Sequence, residues 1–159
     1  MIEMLKIPKE RIRVLLEYNK KVLKEIEKIT KTKIEIDEGI NITGEAIDVM
    51  TASNILKAIG RGFEADIAME LLDENKTFYV IALSETEKSL SRIKSRIIGT
   101  NGRARRNLER LTNTNISVYG KTVSIIGDYE NVEKARTAIE KLISGAMHRT
   151  VYKYLESRR

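Results

Sequence analysis

Gly99 and Gly102 stand three residues apart in "RIIGTNGR", Arg96 to Arg103, with Thr100 and Asn101 between them. Glycine carries no Cβ, so the backbone turns tightly there and another chain can come close. Arg103, Arg105 and Arg106 follow at once. A helix opening just after the second glycine would point unpaired N–H groups and its positive dipole end at whatever approaches. The chemistry this implies is non-covalent holding of phosphate. A lone G-x-x-G arises about once by chance in a chain of this length at ordinary glycine frequency, so its setting carries the weight. A turn serving structure alone needs one glycine and no crowd of arginines.

The charge agrees. The chain of 159 residues has 29 basic and 23 acidic residues, a net +6. Arg92, Lys94, Arg96, Arg103, Arg105, Arg106 and Arg110 fall in one short window against a single acid, Glu109, and that window accounts for the whole net charge. Arginine dominates it, as planar recognition of phosphate favours. A localised cationic surface marks a polyanionic partner; scattered charge would mark only a solvated face.

Little supports catalysis. His148 is the one histidine and there is no cysteine, so neither a Cys/His metal site nor a Ser/His/Asp set is built. The acid pairs Asp73/Glu74 and Glu85/Glu87 fall in connecting segments and read as solvated surface. No P-loop lysine signature is present. We expect no enzyme, cofactor, metal or small-molecule substrate. No apolar run approaches the ~18 residues of a membrane span, and the start shows no secretion signal. With no disulfides possible, a cytoplasmic location is expected.

Positioning the glycines requires elements, and these come in duplicate. "KKVLKEIEKITKTKIEI" (Lys20 to Ile36) aligns with "GRARRNLERLTNTNISV" (Gly102 to Val118). Val22, Ile26 and Ile29 fall on Ala104, Leu108 and Leu111, an apolar stripe at helical spacing. Ile34 and Ile36 fall on Ile116 and Val118, alternating like a strand. After a short turn, Ile40 and Ile42 match Val123 and Ile125, and Gly44 matches Gly127. Val49, Ala52, Leu56 and Ile59 then match Val132, Ala135, Ile139 and Leu142 in a last helix. A first helix is predicted at Lys9 to Leu16, opening after the single proline Pro8, and again from Glu87 to Ile97. Strands precede them at Met4 to Ile7 and Thr77 to Leu83, and "EADIAMELLDEN" predicts a connecting helix. The expected class is α+β: two β-α-α-β-β-α units, each a three-stranded antiparallel sheet with helices on one face. Near 70 residues such a unit is marginal alone, so packing of one on the other is expected. Boundaries are set at 1–62, a linker helix at 63–75, 76–145, and a basic tail at 146–159.

"RIIGTNG" between two helices, followed by strand, short turn, strand and helix, resembles the KH domain, whose G-x-x-G loop clamps single-stranded RNA or DNA. The order after the motif is that of type I. The stretch from "ISVYG" through "GAMHRTVYKYLE" further resembles the partner-of-Nob (Dim-two) family of pre-ribosomal KH proteins, especially archaeal members. The likeness is specific in the second unit and the tail and looser in the first. It implies a cytoplasmic, non-catalytic factor in small-subunit assembly, with the 3′ region of small-subunit ribosomal RNA as partner. An endonuclease or ribosomal RNA methyltransferase would be a protein partner. The other reading is a protein-recruiting scaffold in pre-ribosome or translation complexes, touching RNA weakly and without specificity.

The resemblance assigns the RNA backbone to Ile98, Gly99, Thr100, Asn101, Gly102 and Arg103, beside Arg96 and Arg105. The base-facing wall falls to Ile97, Arg106, Ile116, Ser117 and Val118, with Ile97 and Ile116 equally suited to the core. His148, Arg149, Tyr152, Lys153 and Tyr154 either extend the RNA surface or sit on a helix docked through Val151 and Leu155. In the first unit Glu17, Tyr18, Asn19 and Lys20 occupy the motif's place. A carboxylate there repels phosphate and Lys20 blocks close approach, so this copy is read as a degenerate motif. Its lysines, Lys20, Lys21, Lys24, Lys28 and Lys31, still leave weak contact with RNA open.

Overall fold

The structure is a computed structural model that describes residues 1–83 and 86–158. Glu85, half of one expected surface acid pair, lies outside the described residues. The chain divides into two compact units, Met1–Asp73 and Glu74–Arg159. The class is α+β, with one three-stranded antiparallel sheet in each.

The first unit runs β1 (Ile2–Leu5), α1 (Lys9–Thr30), β2 (Lys33–Ile36), β3 (Ile40–Thr43), α2 (Ala46–Gly60) and α3 (Ala65–Ala68). Pro8 starts α1, its fixed φ suiting the entry and its carbonyl accepting from the amides of Arg11 and Ile12 at 2.9 and 3.1 Å. The helix is two arms: Glu17, Tyr18, Asn19 and Lys20 leave helical geometry between Leu16 and Lys21. β3 is central, pairing with β1 and β2. Ile34 and Ile42 sit opposite one another, as do Ile36 and Ile40, so alternation puts all four on one face of the sheet. Leu23, Ile26, Val49 and Leu56, from α1 and α2, are also buried.

Three sequence expectations change here. The buried stripe of the second arm is Leu23, Ile26 and Thr30, and Ile29 is 43% exposed. Thr30 turns inward because its hydroxyl donates to Ile26 O at 2.6 Å and meets the Thr32 hydroxyl at 2.7 Å, which satisfies both buried groups. The connecting segment holds only the four residues of α3 before it tightens into a 3-10 turn at Met69–Leu72. It packs on α2, within the first unit. The first strand lies at Ile2–Leu5, two residues earlier than its apolar run suggested.

The second unit runs β4 (Lys76–Ala82), α4 (Glu87–Ile98), a 3-10 turn (Thr100–Gly102), α5 (Arg103–Thr112), β5 (Asn115–Tyr119), β6 (Thr122–Asp128), α6 (Tyr129–Ile143) and α7 (His148–Ser157). β6 is central, between β4 and β5. Leu108, Ile116, Val123, Ile125, Ile139 and Leu142 form its core, and Val151 and Leu155 join it, so α7 is docked and not a loose tail.

The units repeat one another down to single hydrogen bonds. Glu27 Oε2 accepts from the amide of Ile34, and Glu109 Oε2 from that of Ile116, both at 2.9 Å. Thr112 donates to Leu108 O at 2.6 Å and meets Thr114 at 2.8 Å, as Thr30 does with Ile26 and Thr32. Lys31 and Asn113 both end their helices with positive φ, 58° and 53°. A Cβ on Gly44 or Gly127 would lie 3.2 or 2.8 Å from the methyl of Thr32 or Thr114. Both glycines therefore keep room for the buried threonine pair.

Candidate nucleic-acid interface

α4 carries the chain into the glycine turn and α5 carries it out. Thr86 caps the start of α4, accepting from the amide of Ser89 at 3.3 Å. Gly99 has φ 74° and ψ 177°, a region open essentially to glycine. A Cβ there would stand 2.7 Å from the Cβ of Ala104 and 2.8 Å from its nitrogen. Gly102 follows at φ 76°, with Arg106 Nη1 only 3.0 Å from where its Cβ would be. Both glycines thus have structural reasons, against the expectation that a structural turn needs one.

The turn's amides are less bare than the sequence suggested. Gly99 N–H donates to Ser95 O at 2.8 Å, and Gly102 N–H to Gly99 O at 3.2 Å. Arg103 N–H donates to Thr100 O. What the turn offers outward is the exposed pair Thr100 and Asn101, with Arg103 and Arg106 exposed beside it. Among the described residues the ion pairs of this unit are Lys76–Asp128, Arg105–Glu109 and Arg136 with Glu133 and Glu140. Arg136 is held above its ordinary pKa by the hydrogen bond and charge of Glu133. Arg103 and Arg106 belong to none of these pairs, so their charge is available to an anion.

Other expected site residues make contacts within the unit. Ile97 and Ile116 are 0% and 3% exposed and lie within the core. Alternation along β5 sets Val118 on the core face with Ile116, and Ser117 on the opposite face. Ile98 is half-buried at the end of α4. Arg105 is paired with Glu109 at 2.9 Å, which steadies the carboxylate that holds β5. Arg96 donates from Nε to Leu142 O at 3.3 Å and from Nη2 to Ala146 O, tying the end of α6 and the next turn to α4. His148 Nε2 lies 2.6 Å from Arg96 O.

The first unit does the same with Arg11, which donates to Ile59 O at 2.7 Å and Phe63 O at 2.8 Å. Ile59 aligns with Leu142, but Arg11 does not align with Arg96, so the sequence repeat hid this shared device. In the degenerate turn, Tyr18, Asn19 and Lys20 take φ of 53°, 58° and 63°, while Glu17 has φ −61°. Asn19 and Lys20 match their counterparts Asn101 (φ 55°) and Gly102 (φ 76°), whereas Glu17 and Tyr18 differ from Gly99 and Thr100, so the two turns part at their first two residues. All four residues are exposed.

Residues 77–159 match the eukaryotic-type KH domain (KH-domain type I), in the form found as the second such domain of PNO1. This chain belongs to the PNO1 (Dim2) family of KH proteins. The KH domain-containing protein MJ0443 of Methanocaldococcus jannaschii is 42% identical, over 99% of this chain and 74% of its own. Dim2p of Pyrococcus horikoshii OT3 superposes with a TM-score of 0.93 at 45% identity, over 100% of this chain and 99% of that one. The crystal structure of an a/eIF2alpha-aDim2p-rRNA complex from the same organism gives a TM-score of 0.93 at 44% identity, over 99% and 93%. The chain spans about half the length of the eukaryotic PNO1 relatives it matches, which bear the names RNA-binding or pre-rRNA-processing protein. The glycine turn, between α4 and α5, lies within the matched residues. Among the described residues no group of three or more His, Cys, Asp or Glu side chains is placed to hold a metal ion. No helix among them is long and apolar enough to cross a membrane.

Proposed function

We propose that the protein binds single-stranded RNA near the 3′ end of small-subunit ribosomal RNA during its maturation, gripping the backbone at Gly99–Arg103 of the second unit. In this reading both units are type I KH domains in tandem, with boundaries near 1–62 and 76–145, and the first has lost its clamp. The observation that carries it is the exposed Thr100–Asn101 turn flanked by Arg103 and Arg106, neither of them in an ion pair among the described residues. The family and the ribosomal RNA complex of the Pyrococcus relative support the choice of RNA. Phosphate is held by the arginines and the outer edge of the turn; the amides of Gly99, Gly102 and Arg103 serve the turn itself. Arg96 acts by positioning α4 against α6, and Ile97 and Ile116 act as core. An endonuclease or methyltransferase of the ribosomal RNA remains the expected protein partner, acting in the cytoplasm, with the protein itself non-catalytic.

The test is the affinity of the whole chain for an oligonucleotide with the 3′-terminal small-subunit sequence. Thr100→Asp with Asn101→Asp puts two carboxylates at the turn and is expected to lower affinity at least tenfold while the fold holds. Unchanged affinity overturns the assignment. The scaffold reading draws on the first unit, where Ile47 and Met50 lie exposed on α2 at 78% and 57%. Its mark would be recovery of assembly proteins after nuclease treatment, with no RNA crosslink at residues 96–106.

A further inference from the structure

Beside the glycine turn is a cleft of about 560 Å³ that the KH motif does not account for. Its walls come from α4, the turn, the first turns of α5, and α7. Arg92 and Arg103 stand at it, with Asn107 from α5 and His148 and Tyr152 from α7. Among the described residues no carboxylate lines it. Arg92 and Arg103 are exposed and belong to no ion pair among the described residues. Asn107 brings an amide that both donates and accepts.

The aromatic side of this cleft is fixed in place. α7 is anchored by Val151 and Leu155, which are 0% and 1% exposed. At its start His148 is held against Arg96 O. The Tyr152 ring lies 6.1 Å from the His148 ring, tilted by 54°. Tyr154 is spent elsewhere, with Lys141 Nζ 4.6 Å and Arg158 Cζ 5.2 Å from its centroid. Tyr152 is therefore the tyrosine of α7 that faces the cleft. A rigid aromatic, two unpaired arginines and an amide, without acids, suit one nucleotide: a base to stack and a phosphate to neutralise.

We propose that this cleft takes one further nucleotide of the strand held at the glycine turn, with its base on Tyr152 and its phosphate between Arg92 and Arg103. The proposal rests on the reading of Gly99–Arg103 as an RNA clamp. It gives α7 a recognition role and lengthens the bound segment beyond the roughly four nucleotides of a KH groove.

The experiment measures affinity of the full chain for randomised-sequence RNA pools of fixed length, from four to eight nucleotides, at constant salt. The expected result is a step of about fivefold or more once length exceeds the clamp's own segment, the lower end of what one stacked base contributes. Tyr152→Leu removes the step and leaves the four-nucleotide affinity as it was, whereas Tyr152→Phe keeps the step. Arg92→Gln lowers the salt dependence of the long pools by about 0.7 in log–log slope and spares the shortest. Absence of a step in the parent chain overturns the proposal, as does equal weakening at every length in Tyr152→Leu. If Tyr152→Leu fails to fold, Arg92→Gln decides, and an unchanged slope overturns it. Failure of the clamp is told apart by Asn101→Asp: if this leaves four-nucleotide binding intact, the underlying reading falls, whatever the cleft does.

Discussion

The Cβ of Ala104 lies 2.7 Å from where a Cβ on Gly99 would be, so α5 begins pressed against the glycine that ends α4. Substituting Gly99 therefore damages the turn before it touches any ligand. Gly99→Ala meets a backbone contact and a φ of 74° with ψ near 180°, and is expected to cost roughly 1–3 kcal/mol of stability. Asn101 has φ 55° and ψ 27°, a left-handed conformation that Asp also visits, so Asn101→Asp should unfold close to the parent chain. Chemical denaturation of the two variants checks this, and equal stabilities would refute it.

Arg103 and Arg105 are two residues apart and should behave differently. Arg103 is exposed and in no ion pair among the described residues, while Arg105 is paired with Glu109. Removing one phosphate contact on a single strand lowers the log–log salt slope of binding by about 0.7. Arg103→Ala should show that drop with little loss of stability. Arg105→Ala should leave the slope near its parent value and loosen the strand start at Ile116, whose amide the Glu109 carboxylate holds. Titration across salt with hydrogen exchange at Ile116 separates the two.

Periodicity made most of the fold legible. The stripes Ala104, Leu108, Leu111 and Val132, Ala135, Ile139, Leu142 are buried as read, because a helix shows its core face at fixed spacing. Ile29 misled because the inward position belonged to Thr30, a polar residue whose burial depends on bonds to Ile26 and Thr32. The threonine pairs were in plain view as "TKT" and "TNT" in both copies, and their repetition was a usable signal. At the site, the turn and its exposed arginines were legible from spacing. The roles of Arg96 and His148 were not, since their partners are carbonyls far along the chain and carry no residue signature.

The degenerate turn holds three consecutive non-glycine residues at positive φ, Tyr18, Asn19 and Lys20. Such a conformation costs a residue with a Cβ roughly 1–2 kcal/mol, less what glycine loses in chain entropy. Lys20→Gly is expected to stabilise the first unit by about 0.5–1 kcal/mol. Because Glu17 keeps φ −61° where Gly99 has 74°, the variant should not acquire a glycine clamp. Denaturation followed at amides of the first unit, together with RNA affinity, tests both halves. A fall in stability would show that Lys20 makes a contact outweighing the strain.

Arg96 on α4 and Arg11 on α1 reach the ends of α6 and α2, from different turns of their helices, and each binds two carbonyls. Hydrogen bonds from a charged donor contribute about 1.5–3 kcal/mol when removal leaves buried acceptors unmet. Arg96→Lys keeps the charge but not the fork that spans Leu142 and Ala146. If Arg96 serves chiefly by positioning, Arg96→Lys should destabilise the second unit and speed proteolysis at residues 144–147, the turn between α6 and α7. Its effect on RNA affinity should be largest for pools long enough to reach the α7 side, because α7 follows that turn. Were Arg96 instead a direct phosphate contact, lysine would largely replace it, stability would hold, and only the shared neutral variant Arg96→Gln would weaken binding.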